Sequence, residues 1–466
     1  MVLFLGKKKL ELPIQLLEKL ESVPGFSASD FTEAHRIQPP TSIRIHPLKA
    51  PAHYGKNLDA VPWCDAGRYL PERPLFTVDP LLHGGAYYVQ EASSMFLDHI
   101  LRSVYPEPEG LRVLDLCAAP GGKSTLLASF LDERSLLISN EVIRNRAGIL
   151  GENMTRWGYK NTWVCSNDPK DIGKMQGYFD LIVVDAPCSG SGLFRKDERA
   201  IAEWSPENVQ LCAARQQRIL HDIMPALKEG GCLIYATCSY SPEEDEQIMD
   251  FLAAQFPLES VPVTVPDDWG IVCVTSAIHG VNGYRFFPHR LRGEGFFITV
   301  LRKTGGETAM QLPKFKSVHA RQMTAQIDRF LEQDSYLLLP AENNQFMAIP
   351  AGMEADYHYL KQFVYLRKTG ISVGGPGPKE WIPEHDLALS GDLLKQLQTV
   401  ELDLEQALLY LKKETFSTPA GTTKGWNLVT YKGLGLGWIK VLDNRINNYL
   451  PKNWRIRMDI DWETIL

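Results

Sequence analysis

Four short apolar runs, each followed by a polar or amphipathic stretch, dominate the middle of the chain. Leu111–Leu116 (LRVLDL), Ser135–Asn140 (SLLISN), Phe179–Asp185 (FDLIVVD) and Cys232–Thr237 (CLIYAT) are rich in branched aliphatic residues and read as strands. Between and after them, residues 142–157, 206–228 and 243–256 carry helical spacing. Such alternation, with strands apolar on both faces, predicts a parallel sheet covered by helices on both sides. Two further β-rich runs, Tyr284–Pro288 and Gly295–Lys303, are spaced like a hairpin and predict an antiparallel pair closing the sheet. This α/β block spans about 106–303. Residues 1–105 open on a helical pattern (Leu10, Leu12, Ile14, Leu17, Leu20) and turn Pro-rich around Pro39-Pro40 and Pro71–Pro80. After the polar break Lys303–Glu307, residues 304–378 predict a small α+β domain ending in the turn-rich connector Gly374–Pro378 (GGPGP). Residues 379–466 interleave glycine and aromatic residues with lysine and arginine.

Composition narrows the class. Hydrophobic residues at 44% and charged residues at 23% suit ordinary buried cores, which excludes a mostly disordered, collagen-like or disulfide-stapled chain. No apolar run approaches the ~18 residues of a membrane span. The start, MVLFLGKKKLELP, places its apolar run before the lysines, the reverse of a secretory signal. The eight cysteines are scattered without a CxxC pair, so a zinc site or redox disulfide is not expected, and the chain reads as cytosolic with reduced thiols. The net charge of −7 offers no global attraction for a phosphate backbone; nucleic-acid binding would have to come from local patches.

The first strand runs into LRVLDLCAAPGGKSTLLASFL, a strand, a small-residue turn and a helix. Backbone N–H groups at a helix start, approached closely at Gly121 and Gly122, suit a carboxylate or phosphate. The spacing lacks the first glycine of a P-loop and is not the GxGxxG of a dinucleotide fold. A ligand-free turn is the plain alternative; a nucleoside with a small charged tail, such as S-adenosylmethionine, is the functional one. Glu141 follows the second strand, placed to take two ribose hydroxyls, and Asp168 follows the third, placed for an adenine amino group.

Two cysteines also fall at strand ends, Cys188 in Asp185-Ala186-Pro187-Cys188-Ser189-Gly190 and Cys238 in Thr237-Cys238-Ser239. Cys64, Cys117, Cys165, Cys212, Cys232 and Cys273 are expected to be small buried hydrophobes. Thiols beside a methyl donor suggest one chemistry. Carbon 5 of a pyrimidine is a weak nucleophile until a thiolate adds at carbon 6. Asp185, if protonated, could hydrogen-bond ring nitrogen 3; ionised and facing the ligand is its other reading.

These residues resemble the Nop/Sun family of RNA (cytosine-5) methyltransferases, most closely its bacterial RsmF branch acting on 16S ribosomal RNA. The likeness covers essentially the whole chain. It implies a Rossmann-like S-adenosylmethionine-dependent core with a mixed seven-stranded sheet, an N-terminal α+β domain that positions RNA, and C-terminal α+β and PUA-like domains. It implies that Cys117, Ala118, Ala119, Pro120, Gly121, Gly122 and Lys123 form the methionine-side loop. Glu141 matches the ribose acid, and the helix after it carries Arg146, Leu150, Asn153 and Arg156 at the family's spacing, with Arg146 counted among the cofactor-binding residues. Asp168 resembles the adenine-side acid and Asp185 the acid shared by cofactor and cytosine. The resemblance also orders the thiols, with Cys238 as nucleophile and Cys188 assisting release. Tyr88–Ser94 (YVQEASS), Arg285–His289 (RFFPH) and Lys379–Leu389 (KEWIPEHDLAL) match softer signatures. In TSIRIHPLK, His46 stands where the family usually has asparagine.

Basic residues beside aromatics could hold RNA: Lys452, Arg455 and Arg457 with Tyr449 and Trp454, and the cluster Lys314, Lys316 and Arg321. The bland reading of the first group is a hairpin with core aromatics. The expected protein is thus a monomeric cytoplasmic enzyme, without metal or membrane, methylating 16S RNA in the 30S subunit. The alternatives are the same chemistry on tRNA and a non-catalytic ribosome-assembly factor.

Overall fold

The computed structural model of the chain describes residues 11–313, 327, 330–331, 336–391 and 397–465. Lys314, Lys316, Arg321 and Leu10 lie outside the described residues. The chain divides into two compact units, Met1–Thr41 with Glu91–Pro106 and Pro169–Met310, and Ser42–Gln90 with Glu107–Asp168 and Gln311–Leu466. Among the described residues no helix is long and apolar enough to cross a membrane.

In the first unit, Phe179–Asp185 runs parallel to Leu227–Thr237, with Ile182 opposite Leu233 and Asp185 opposite Ala236. Both strands are apolar on both faces and buried over the paired stretch, as helix-covered parallel strands require. Phe296–Lys303 lies antiparallel to Leu227–Thr237, Asn282–Phe286 antiparallel to Phe296–Lys303, so the expected hairpin forms. Val272–Thr275 and Leu258–Ser260 add two short antiparallel strands. Val272–Thr275 alternates buried and exposed residues, and this turns Cys273 to the exterior. The expectation of a buried Cys273 is therefore corrected: a half-buried edge strand faces solvent at every second residue.

Two boundaries moved for local reasons. The helix after Ser205, whose hydroxyl caps Asn208 N–H, ends at Ile223 rather than 228, since Pro225 has no N–H to continue it. The helix expected from 243 starts at Glu246, because Asp245 has a non-helical backbone.

The second unit holds the parallel strands Arg112–Asp115, Leu136–Asn140 and Thr162–Cys165, with the helices Gly122–Phe130 and Arg144–Trp157. Leu366–Lys368, expected in the small C-terminal domain, instead pairs antiparallel with Thr162–Cys165. It joins Leu258–Ser260 and Val272–Thr275 as strands beyond the seven expected. Gly374–Pro378 is likewise not a free connector. The strand Ile371–Pro376 takes in GGP and pairs with Trp381–Ile382. In the tail, Gly425–Tyr431 and Leu434–Val441 form a hairpin whose Trp426, Tyr431 and Trp438 are buried.

Candidate active site

The thiol pair is built in the first unit by two loops that leave adjacent parallel strands. Cys188 follows the strand ending at Asp185, and Cys238 the strand ending at Thr237. Their Sγ atoms lie 3.1 Å apart. The loops interlock through backbone: Gly192 N–H donates to Cys238 O at 2.8 Å, and Ala186 N–H to Ala236 O at 2.9 Å. A Cβ at Gly192 would lie 2.4 Å from Gly295 O and 2.8 Å from Cys238 O, so only glycine permits this approach.

Beneath the pair sits Glu244, fully buried, which the motif reading did not single out. Its carboxylate accepts Ser189 N–H at 2.8 Å, Ser189 Oγ–H at 2.5 Å, Ser239 Oγ–H at 2.6 Å and Gln216 Nε2–H at 3.2 Å. Burial raises its pKa against the pull of these donors. The hydrogen bond to Cys238 pushes the Cys188 thiol well above the usual range, with burial and the charges of Cys238 and Glu244 adding to it. Next along, Thr237 Oγ1 donates to Asp245 at 2.7 Å, and Arg285 reaches Asp245 at 3.1 Å, Glu246 at 2.5 and 2.6 Å and Tyr240 O at 2.9 Å. Arg285 thus secures the chain directly after Cys238.

The glycine loop, Glu141 and Asp168 belong to the second unit. Gly121 adopts φ +121°, a conformation open to glycine, and the helix begins at Gly122. The carbonyls of this loop are held from the following helix: Arg146 donates to Ala119 O and Asn153 to Pro120 O, each at 2.8 Å. Arg146 also pairs with Glu141 at 3.3 Å, so the structure gives it a loop-holding part. Glu141 is buried, with Oε1 accepting Ile143 N–H at 2.9 Å. Asn140, also buried, donates to Leu116 O and Asn167 O and accepts Asn167 N–H, tying together the ends of all three parallel strands beside Asp168. Asp168 and Cys117, the latter expected as a buried hydrophobe, are partly exposed on these strand-end loops, and Lys123 is partly exposed in the first turn of the helix from Gly122.

Arg44 supports the same loop from another side. It donates to Thr125 Oγ1 at 2.6 Å and Gln90 Oε1 at 2.8 Å, and lies over the Trp157 ring. His46 is structural. Its Nδ1 accepts Leu48 N–H and Lys49 N–H, which leaves Nε2–H to donate to Trp157 O at 3.0 Å. Burial, helped by nearby Lys49, lowers its pKa to about 2. Because the unfolded imidazole takes a proton near pH 6.5 and the folded one does not, His46 stabilises the fold above that pH and costs stability below it. Between pH 6.5 and 4.5 the slope it adds is up to about 1.4 kcal/mol per pH unit. Denaturant unfolding across that window is expected to fall less steeply for His46→Asn than for wild type.

In the tail, Trp454 carries the Arg156 guanidinium on one face at 4.9 Å and the edge of His385 at 4.5 Å, so its ring is already packed. Tyr449, Lys452, Arg455 and Arg457 remain exposed.

Comparison with known proteins shows what the chain as a whole is similar to. Three family models match: "16S rRNA methyltransferase RsmB/F" over residues 103–302, "N-terminal domain of 16S rRNA methyltransferase RsmF" over 12–92, and "Methyltransferase RsmF PUA domain" over 397–456. The chain is 29% identical to ribosomal RNA small subunit methyltransferase F of Pectobacterium carotovorum, with 95% of each chain covered. To the protein of the same description from Shewanella piezotolerans it is 27% identical, with 97% of this chain and 96% of that one covered. Among solved structures, a methyltransferase homologue from Pyrococcus horikoshii superposes with TM-score 0.51 at 28% identity, over 63% of this chain and all of that one.

Proposed function

Given that the chain belongs to the RsmB/F family of 16S rRNA methyltransferases, we propose that it transfers a methyl group from S-adenosylmethionine to carbon 5 of cytosine in 16S RNA, within the 30S subunit. The observation that carries this reading is the 3.1 Å approach of Cys188 to Cys238 on two strand-end loops. Amine and oxygen methylation have no use for a thiol pair, whereas carbon-5 methylation uses one thiol to add and gains from a second nearby to release.

The residues fit the cofactor. The glycine loop offers helix-start N–H groups for a methionine carboxylate, and a Cβ at Gly121 would press on Asn153 and Leu150 at 3.4 Å. Glu141 and Asp168 are the acids for ribose and adenine. When bound, S-adenosylmethionine supplies an electrophilic methyl group. Cys238, as thiolate, adds to carbon 6 and makes carbon 5 an enamine. Asp185, carrying its proton, donates a hydrogen bond to ring nitrogen 3 and offsets the negative charge that develops there. Once carbon 5 is methylated, its proton passes to water, the double bond between carbons 5 and 6 re-forms, and the bond from sulfur to carbon 6 breaks to return Cys238 as thiolate; the Cys188 thiol, 3.1 Å away, assists by hydrogen-bonding the departing sulfur. Residues 1–105 and the exposed tail residues Lys452, Arg455 and Arg457 contact RNA; the base must be extruded or already unpaired to be reached.

Bisulfite sequencing of 16S RNA after incubation of 30S subunits with enzyme and S-adenosylmethionine tests the reading. New protected cytosines are expected in 30S subunits; protection confined to tRNA, or none in any RNA, would overturn it. Glu141→Gln is expected to weaken S-adenosylmethionine binding by about 10- to 100-fold, the loss of a charge-assisted hydrogen bond, with kcat little changed. Titration calorimetry with S-adenosylmethionine alone reads this directly.

A further inference from the structure

Glu243, Glu244, Asp245 and Glu246 are four consecutive acids, and the fold divides them among three places. Glu243 pairs with Lys19, Asp245 with Arg285 and Thr237, and Glu246 with Arg285. Glu244 alone turns under the thiols. One oxygen takes the Ser189 N–H and Gln216, the other takes the hydroxyls of Ser189 and Ser239. Each of those serines directly follows one of the two cysteines. Gln216 also donates to Pro187 O at 3.1 Å, so the residue preceding Cys188 is tied to the same centre.

We infer that Glu244 is the positioning residue that keeps Cys188 against Cys238, and so controls the release step rather than the attack. The inference rests on the reading above, in which Cys188 assists release. The geometry supports a clamp in particular. Cys238 lies three residues before Ser241, where the bonded Ser241–Glu244 turn begins, and is also held by Gly192 N–H, whereas the Pro187–Ser189 segment makes two bonds to the carboxylate and a third to Gln216, against one to the carboxylate from Ser239. Loss of the carboxylate therefore frees Cys188 more than Cys238.

The chemistry of the site also sets a conservative control. In Glu244→Gln, one amide oxygen still accepts Ser189 N–H, and the NH₂ group donates to the two serine hydroxyls, which rotate to accept. The clamp persists without charge. In Glu244→Ala it is gone.

The test uses full-length protein, 30S subunits and S-adenosylmethionine, with turnover followed by methyl incorporation and trapped adduct by denaturing gels. Glu244→Ala is expected to lower kcat about 100-fold, the scale of an ångström-sized misplacement, to leave KM for S-adenosylmethionine within a factor of two or so, and to accumulate the covalent RNA–protein adduct. Glu244→Gln is expected to retain turnover within about tenfold and to trap little. If Glu244→Ala does not fold, as judged by circular dichroism, the double variant Ser189→Ala/Ser239→Ala removes the hydroxyl bonds and is expected to trap adduct in its place. Wild-type turnover in Glu244→Ala, loss of turnover without adduct, or failure of Gln to rescue would each overturn the inference. Cys188→Ala run in parallel separates the two levels: if it traps no adduct, the release reading itself falls; if it does and the Glu244 variants do not, only the clamp falls.

Discussion

Cys238→Ala is expected to abolish methyl transfer, by on the order of 10⁴- to 10⁶-fold, because removing a nucleophile leaves no alternative path to an activated carbon 5. Serine at 239 is no substitute: its hydroxyl is committed to Glu244 at 2.6 Å. Cys188→Ala is expected to behave differently. It retains the attack and slows the elimination, so RNA stays attached to the protein through denaturing gels. Bisulfite protection and adduct formation, measured together on both variants, read the assignment. Should the adduct appear with Cys238→Ala and activity vanish without adduct in Cys188→Ala, the roles are exchanged while the reaction class stands.

The second large effect is on stability. Arg285 is buried, yet it pairs with Asp245 and donates to both oxygens of Glu246. Arg285→Met keeps much of the side-chain volume and strands those carboxylates, Asp245 being fully buried. Removing one member of a buried ion pair costs about 3–5 kcal/mol, far more than a surface pair, because the remaining charge has no water to turn to. Urea unfolding at neutral pH is expected to show that loss. The pH dependence gives a sharper reading. Burial already holds the Asp245 pKa well above the ordinary carboxylate value, and without Arg285 it rises further. A carboxyl whose folded pKa is raised favours the fold below its unfolded pKa and penalises it as pH rises through the folded value. The deficit of Arg285→Met is therefore expected to shrink at pH 4 relative to pH 7.5. An equal deficit at both values would mean that the arginine acts by packing over Phe297, 5.5 Å from its guanidinium, rather than by charge.

The acidic run at 243–246 shows where local reading stopped. Along the chain it has the look of a solvated face, and nothing in its spacing separates Glu244 from Glu243. Burial of two neighbouring acids depends on where the strand ending at Thr237 and the helix starting at Glu246 leave the turn, which is a property of the packed sheet. His46 and Trp454 make the same point. A histidine in place of asparagine is explained only once Trp157 O and the Leu48 and Lys49 N–H groups surround it. An aromatic near basic residues could have faced RNA, but in the fold the guanidinium over Trp454 comes from Arg156, almost 300 residues earlier.

What the chain stated outright was local: strand periodicity, the glycine turn after the first strand, and cysteines placed at strand ends among Pro, Ser and Gly. These signals rest on interactions within a few residues, so a linear reading captures them. Tertiary structure decided everything that needed distant segments to meet. It brought Cys188 to Cys238 across 50 residues, chose Glu244 from four acids, and drew Leu366–Lys368 to the edge of Thr162–Cys165. Partners for a buried charge or an open strand edge are selected by desolvation and unsatisfied hydrogen bonds in the folded state, and those costs do not exist until the chain has closed around them.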